Sequence, residues 1–177
     1  MADTIRIAKE SDAYSIAEVV VLTWQVIYSG IISDKDLANF SVFEREKCWK
    51  KRLQGNDPQC LDWTTLVYEK ERKIIGFATY RPSGDTDKNK DSVVELVAIY
   101  LLPGYWEQGL GKRLMDDVLG RAKTQGVSEV SLWVIEANSR ARKFYERTGF
   151  HTDGAKKDQV ILGTMVTEVR YVSGSLS

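Results

Sequence analysis

Histidine and cysteine are almost missing from this chain, which has one His and two Cys. A lone His151 cannot build an imidazole zinc site or serve a Ser-His-Asp nucleophile without company. Cys48 and Cys60 have no metal-ligand spacing and read as free thiols of a reducing compartment, so no metal is expected. Excess charge of either sign is missing too: 25 Lys+Arg balance 25 Asp+Glu. A nucleic-acid partner held by bulk charge is therefore not expected. No apolar run nears the roughly 20 residues of a membrane span, so no membrane partner is expected either. Charged residues flank Ile5 and Ile7, unlike a signal peptide, and the expected location is the cytoplasm.

What is there fits an ordinary globule, with 43% hydrophobic and 28% charged residues in 177. One domain over residues 1–172 is expected, followed by a frayed tail at 173–177. The organising stretch is residues 95–111, E-L-V-A-I-Y-L-L-P-G-Y-W-E-Q-G-L-G. Its β-branched, apolar first part, from residue 93 to 102, predicts a buried strand ended by Pro103 and Gly104. Gly109 and Gly111 then open a helix that runs on through Leu114, Met115 and Val118 to near Gly126. Strand, glycine turn and helix start make an anion site, because the first helical amides lack internal partners. Glycines there would let a phosphate approach the backbone. The plain alternative is a tight turn that packs a helix on a sheet. No Walker loop or full dinucleotide fingerprint is present.

Elsewhere, residues 4–8 alternate like a strand, and Asp12 can cap a helix with Ile16, Val19, Val20, Thr23, Trp24 and Ile27 on its apolar face. Ser33 or Asp34 starts a short helical turn, and Ser41 caps a helix over residues 42–53. Residues 64–69 and 73–80 predict a hairpin turning at Glu71 and Arg72. Residues 82–91 hold no apolar side chain and read as an exposed, mobile loop. Residues 129–135 predict a strand. Asn138 or Ser139 caps a helix through Arg147, which Gly149 ends. Phe150 opens another strand, and residues 161–172 supply the last one. The class is mixed α/β, with helices on both faces of one sheet.

The strand with Glu95, the turn Gln108-Gly109-Leu110-Gly111 and the run N-S-R-A-R-K-F-Y-E-R-T-G-F from Asn138 to Phe150 resemble the GNAT superfamily of N-acetyltransferases. The opening I-R-I-A-K-E-S-D and the helix with W-Q-V-I-Y-S-G-I-I resemble its small-molecule members. The likeness covers nearly the whole chain, and its motifs are specific through their order and spacing. It implies an acyl-CoA N-acyltransferase fold, a mostly antiparallel sheet splayed between two parallel strands. Acetyl-CoA would be the acyl donor, bound in the splay. Backbone groups of Ile99, Tyr100 and Leu101 would pair with pantetheine, and Glu107, Gln108, Gly109, Leu110, Gly111 and Lys112 would hold the pyrophosphate. The family pattern places Arg or Gln where this chain has Trp106. That removes one side-chain contact, for which Gln108 or Lys112 would substitute.

The resemblance also implies roles for single residues. Glu95 would be a general base, the alternative being a hydrogen-bonded strand-edge Glu. Tyr145 would be the acid that protonates the leaving thiolate, the alternative being helix packing. Asn138 would touch the pantetheine arm, although a helix cap already explains it. Trp24 and Tyr28, one helical turn apart, would contact a cationic substrate, with core packing as the plain reading. Trp133 stands where peptide N-terminal acetyltransferases of the superfamily carry a glutamate. The expected function is direct acetyl transfer to the primary amine of a small molecule. A protein N-terminus, a lysine, or a non-catalytic acyl-CoA-binding module are the alternatives, and a homodimer is left open.

Overall fold

A computed structural model describes residues 3–176. Strand β1 (Thr4–Ile7) leads to helices α1 (Ala13–Ile27), α2 (Asp34–Ala38) and α3 (Val42–Leu53). Strands β2 (Thr64–Lys70), β3 (Lys73–Pro82) and β4 (Val93–Leu101) follow, then α4 (Leu110–Thr124) and β5 (Glu129–Ile135). Helix α5 (Ser139–Arg147) precedes the hairpin of β6 (His151–Ile161) and β7 (Thr164–Val172). The strands form one seven-stranded sheet in the order β1-β2-β3-β4-β5-β7-β6.

All neighbours are antiparallel except β4 and β5. That parallel pair holds only at Val93↔Glu129, Val94↔Val130 and Glu95↔Ser131. Beyond Glu95 the two strands part. The cause lies on the far side of β4, where Thr79 pairs Ala98 but Tyr80 pairs Leu96. Val97 is the extra residue of this bulge, and a bulge bends and twists its strand. Beyond it β4 follows β3, while β5 follows β7. The expected splay is therefore present, and it leaves an open edge on each strand.

One sheet face is covered by α1 and α3, where Ile16, Val19 and Trp49 pack on Val67 and Phe77. The other takes α4, with Leu114, Met115, Val118 and Ala122 on Leu132, Val134 and Tyr171. These heptad-like apolar positions on α4 are what the period of the sequence dictates.

Several local expectations are corrected. Residues 82–91 are not a free loop: Ser83 is buried, Lys88 bonds Glu129 at 2.7 Å, and Asp85 and Asp87 both bond Arg170. The expected tail is tied down through Leu176, with Ser173 N–H donating to Val130 O (2.8 Å) and Leu176 N–H to Ser128 O (3.0 Å); Ser177 lies outside the described residues. The last strand starts three residues later than expected, because Leu162 and Gly163 take positive φ (46° and 77°) and turn a hairpin. Ser41 at α3 makes no side-chain cap bond, and neither does Asp12 at α1. Asp12 accepts instead from Arg6 and from the Lys9 amide (2.7 Å each).

Candidate active site

The turn into α4 is built as an anion site. Glu107 and Gly109 both have left-handed φ, 63° and 77°. A left-handed residue costs an L side chain roughly 1–2 kcal/mol, so glycine at 109 is a conformational need. A Cβ on Gly109 would meet nothing within 4 Å, so the space above it is open. The first α4 amides have no backbone partner before Arg113, which donates to Gly109 O at 3.2 Å. Gly111 differs from its expected role. A Cβ there would meet the Phe144 ring at 3.2 Å, so this glycine makes room for α5 rather than for a phosphate.

The two proposed substitutes for the missing Arg or Gln are committed elsewhere. Gln108 Nε2 donates to Gly104 O (3.0 Å), and Lys112 Nζ pairs Asp116 (2.6 Å). Trp106 itself recruits a cation. The Arg140 guanidinium stacks on its ring at 4.1 Å and stands 3.4 Å from Glu107 Oε1. Trp106 Nε1 donates to Leu101 O at 2.7 Å, and Thr23 Oγ1 donates to the same carbonyl at 3.2 Å. On the open edge of β4 the Leu101 carbonyl is thus taken, while Leu102 N–H pairs Ile75 O across β3 (2.8 Å). By strand alternation, Ile99 remains to offer its backbone to the splay.

Below that edge lies a cluster of aromatic side chains. Trp24 meets Tyr28 edge-on at 4.8 Å and stacks on Phe40 at 4.7 Å. The Trp24 Nε1 is buried beside the Tyr100 phenol, whose burial-raised pKa it pulls back. Burial raises the pKa of Tyr28, Tyr100 and Tyr145, and Tyr100 pushes both others further up. All three phenols are therefore kept protonated at neutral pH. Tyr145 packs against Phe144, Phe150 and Tyr171, at 5.4, 6.2 and 6.2 Å between centroids. Asn138 acts as the α5 cap, its Oδ1 accepting from Ala141 N–H at 3.1 Å.

Glu95 is buried, but it is not free. Its Oε2 accepts from Arg81 Nε (3.1 Å) and Nη2 (2.9 Å). Two residues that sequence reasoning passed over share its sheet face. Glu168 is buried, and its Oε2 faces Lys157 Nζ at 3.6 Å with no closer hydrogen-bond partner among the described residues. Arg170, 5% exposed, gathers Asp85, Asp87 and Asp153 at 3.2, 2.6 and 2.8 Å. The signal was present in T-E-V-R-Y, which puts two charges on one face of a strand otherwise apolar. Among the described residues no group of three or more His, Cys, Asp or Glu is placed to hold a metal ion, and no helix is long and apolar enough to cross a membrane.

Residues 30–150 match the model of the Acetyltransferase (GNAT) family. The uncharacterized N-acetyltransferase YuaI of Bacillus subtilis (strain 168) is 32% identical over 136 residues, 76% of this chain and 73% of that one. The spermidine N(1)-acetyltransferase of Thermoplasma acidophilum is 29% identical over 161 residues, 88% of this chain and 94% of that one. Among solved structures, PaiA N-acetyltransferase of Thermoplasma acidophilum, in complex with coenzyme A, superposes with a TM-score of 0.76 at 22% identity, covering 98% of this chain and 99% of that one.

Proposed function

The chain belongs to the acetyltransferase (GNAT) family of N-acetyltransferases, and from that premise we propose that it moves the acetyl group of acetyl-CoA to the primary amine of a small molecule. The observation that carries the proposal is the splay: an unpaired β4 edge leads from the open α4 turn to buried, protonated phenols. The donor's phosphates would lie on the amides of residues 107–112, its arm along Ile99, and its thioester near Tyr145. The amine attacks the thioester carbon directly, since neither cysteine lies in this cluster. As the C–S bond breaks, the Tyr145 phenol protonates the sulfur. Trp24 and Tyr28 would line the acceptor side. The kinship with a spermidine acetyltransferase supports a cationic acceptor.

Calorimetry with acetyl-CoA, followed by CoA-thiol release over a panel of amines, tests this directly. Binding of the donor with no turnover on any small amine would leave a protein acceptor or a non-catalytic binding module.

Arg140 takes the place of the side chain that Trp106 displaced. Arg140→Ala is expected to raise the Kd for acetyl-CoA about tenfold, the worth of one charge-assisted contact, with kcat unchanged. Lys112→Ala should do less, since Lys112 is already paired. Equal effects of the two variants, read by calorimetry, would remove Arg140 from the donor site.

Glu95 enters as the partner of Arg81. Glu95→Gln strips the charge that holds that guanidinium, so a lower Tm and a modest loss of turnover are expected, with a pH profile parallel to wild type. A profile that instead loses its neutral limb and recovers in alkali would make Glu95 the base.

A further inference from the structure

We infer that Glu168 is the catalytic carboxylate that receives the acceptor's ammonium and takes its proton, and that the acceptor carries this amine on an apolar chain seated in the groove beside it. The inference rests on the acetyl-transfer reading above and supplies its missing base and its substrate class.

Three observations lead there. First, Glu168 Oε2 is buried and its nearest partner is an ammonium at 3.6 Å, an incompletely satisfied carboxylate of a kind native structures rarely keep without a use. Glu168 pairs Ile135 on β5 and Lys157 on β6, so it lies on the face that carries Glu95 and the acceptor cluster. Its charge is felt by the phenols of Tyr28 and Tyr100, where burial is the larger influence on both. Second, the rival carboxylate is held more tightly, since Arg81 makes two hydrogen bonds to Glu95 Oε2, at 3.1 and 2.9 Å. Third, the position already attracts an ammonium. Lys157 Nζ stands 3.6 Å from Glu168 Oε2, beyond hydrogen-bond distance, and 4.1 Å over the Trp133 ring. A carboxylate beside an aromatic face is a cation site. The Lys157 side chain is 41% exposed and free to swing aside.

Two residues along the same face of β7, Val166 lines a groove of about 370 Å³ with Ile31, Ile135 and Met165, while Glu136 and Thr167 give it a polar side. Its apolar part suits an aliphatic or aromatic body, from which the amine would reach along β7 toward Glu168.

The charged groups facing Glu168 are Lys157 from β6 and Glu95 from β4, with Gln159, Tyr28 and Tyr100 as the polar and titratable neighbours. Arg170 shares its face two residues on but is saturated by its aspartates. Burial raises the Glu168 pKa most, the Lys157 charge and polar contacts with Gln159 and Lys157 pull it back, and Glu95 adds to the rise, so the net direction is upward. A carboxylate so raised is a better base. The protons balance as follows. Glu168 takes one proton from R–NH3+, and the freed lone pair forms the C–N bond. The C–S bond breaks as Tyr145 protonates sulfur. One of the two protons left on the new amide nitrogen restores Tyr145 and the other stays in the product, while Glu168 returns its own to solvent.

The experiment uses n-hexylamine, its neutral isostere 1-hexanol and ethylamine, with wild type, Glu168→Gln, Glu168→Asp and Lys157→Met. For Glu168→Gln, kcat/KM for hexylamine is expected to fall about 10²–10⁴-fold near neutrality. The loss should shrink in alkali, where an amine of pKa near 10 deprotonates unaided. Glu168→Asp should fall between, and the KM for acetyl-CoA should hold. Calorimetry on the CoA-loaded protein should show hexylamine binding more tightly than hexanol or ethylamine, and at least about tenfold more weakly to Glu168→Gln. Lys157→Met should bind hexylamine as well as wild type or better.

Melting separates a structural role. Because the folded state holds the Glu168 proton more tightly than the unfolded chain does, the ionised group costs stability above the usual carboxylate range and not below it. Glu168→Gln should therefore melt no lower than wild type at pH 7. A lower Tm with an unshifted pH profile would overturn the inference, and so would a wild type that fails to bind hexylamine. If wild type binds hexylamine through Glu168 yet acetylates no amine, the acetyl-transfer reading fails and the cation site stands.

Discussion

Tyr145→Phe is expected to lower kcat by about 10²–10⁴-fold, the range of a lost general acid, while acetyl-CoA binds as before. The phenyl ring keeps every contact that packs α5, with Phe144, Phe150 and Tyr171 at 5.4, 6.2 and 6.2 Å. Only the hydroxyl goes. Burial raises the phenol's pKa, with Tyr100 adding to it, so the proton stays in place at neutral pH until sulfur develops charge. That makes the loss specific to the transition state, and KM should move little. The alkaline limb of the wild-type profile should also not reflect Tyr145 below about pH 10, the ordinary phenol value. Rapid-quench turnover, calorimetry with acetyl-CoA and a melt of each protein decide it. A kcat within about twofold of wild type would return Tyr145 to packing alone.

Tyr145 was legible because its surroundings are local. Asn138 caps, Gly149 stops, and the residues between follow one helical period, so sequence alone places the phenol on α5. The splay was legible only by resemblance. Its cause, the bulge that leaves Val97 out of register, depends on how β4 meets β3, and no local pattern carries it. Gly111 was legible as a glycine but not in its reason, because the ring it accommodates, Phe144, is 33 positions away (144 − 111). Glu168 was hidden differently. On a strand read as weakly alternating, its register was unset, and a shift of one residue would have turned it to the other face.

The loop at 82–91 was misread for a related reason. Lack of apolar residues argues for solvent only if the charges find no partner. Here they find Arg170, and its removal is the second large effect expected. Arg170→Met should cost about 3 kcal/mol, the low end for breaking a buried ion pair, because it strands the part-buried Asp85 and Asp153. Asp87, mostly exposed, is left out of that figure. For a chain of this size the loss corresponds to a Tm lower by roughly 6–12 °C. The pH dependence follows from Asp87, whose pKa the Arg170 hydrogen bonds pull down to about 2. A carboxyl held low in the folded state contributes stability above the ordinary carboxylate range and loses it as pH falls toward 2. Only the small Asp87 share of the Tm gap between wild type and Arg170→Met, additional to that figure, should therefore depend on pH, being present at neutral pH and lost between about pH 4 and 2. Trp133 Nε1 bonds Asp85 at 3.1 Å, so the freed loop should also loosen the indole that borders Glu168. The KM for the amine should rise while that for acetyl-CoA stays, and a protease should cut within 82–91 in the variant first. A gap that does not change with pH, or an uncut loop, would mean that Arg170 holds neither the loop nor the acceptor side in place.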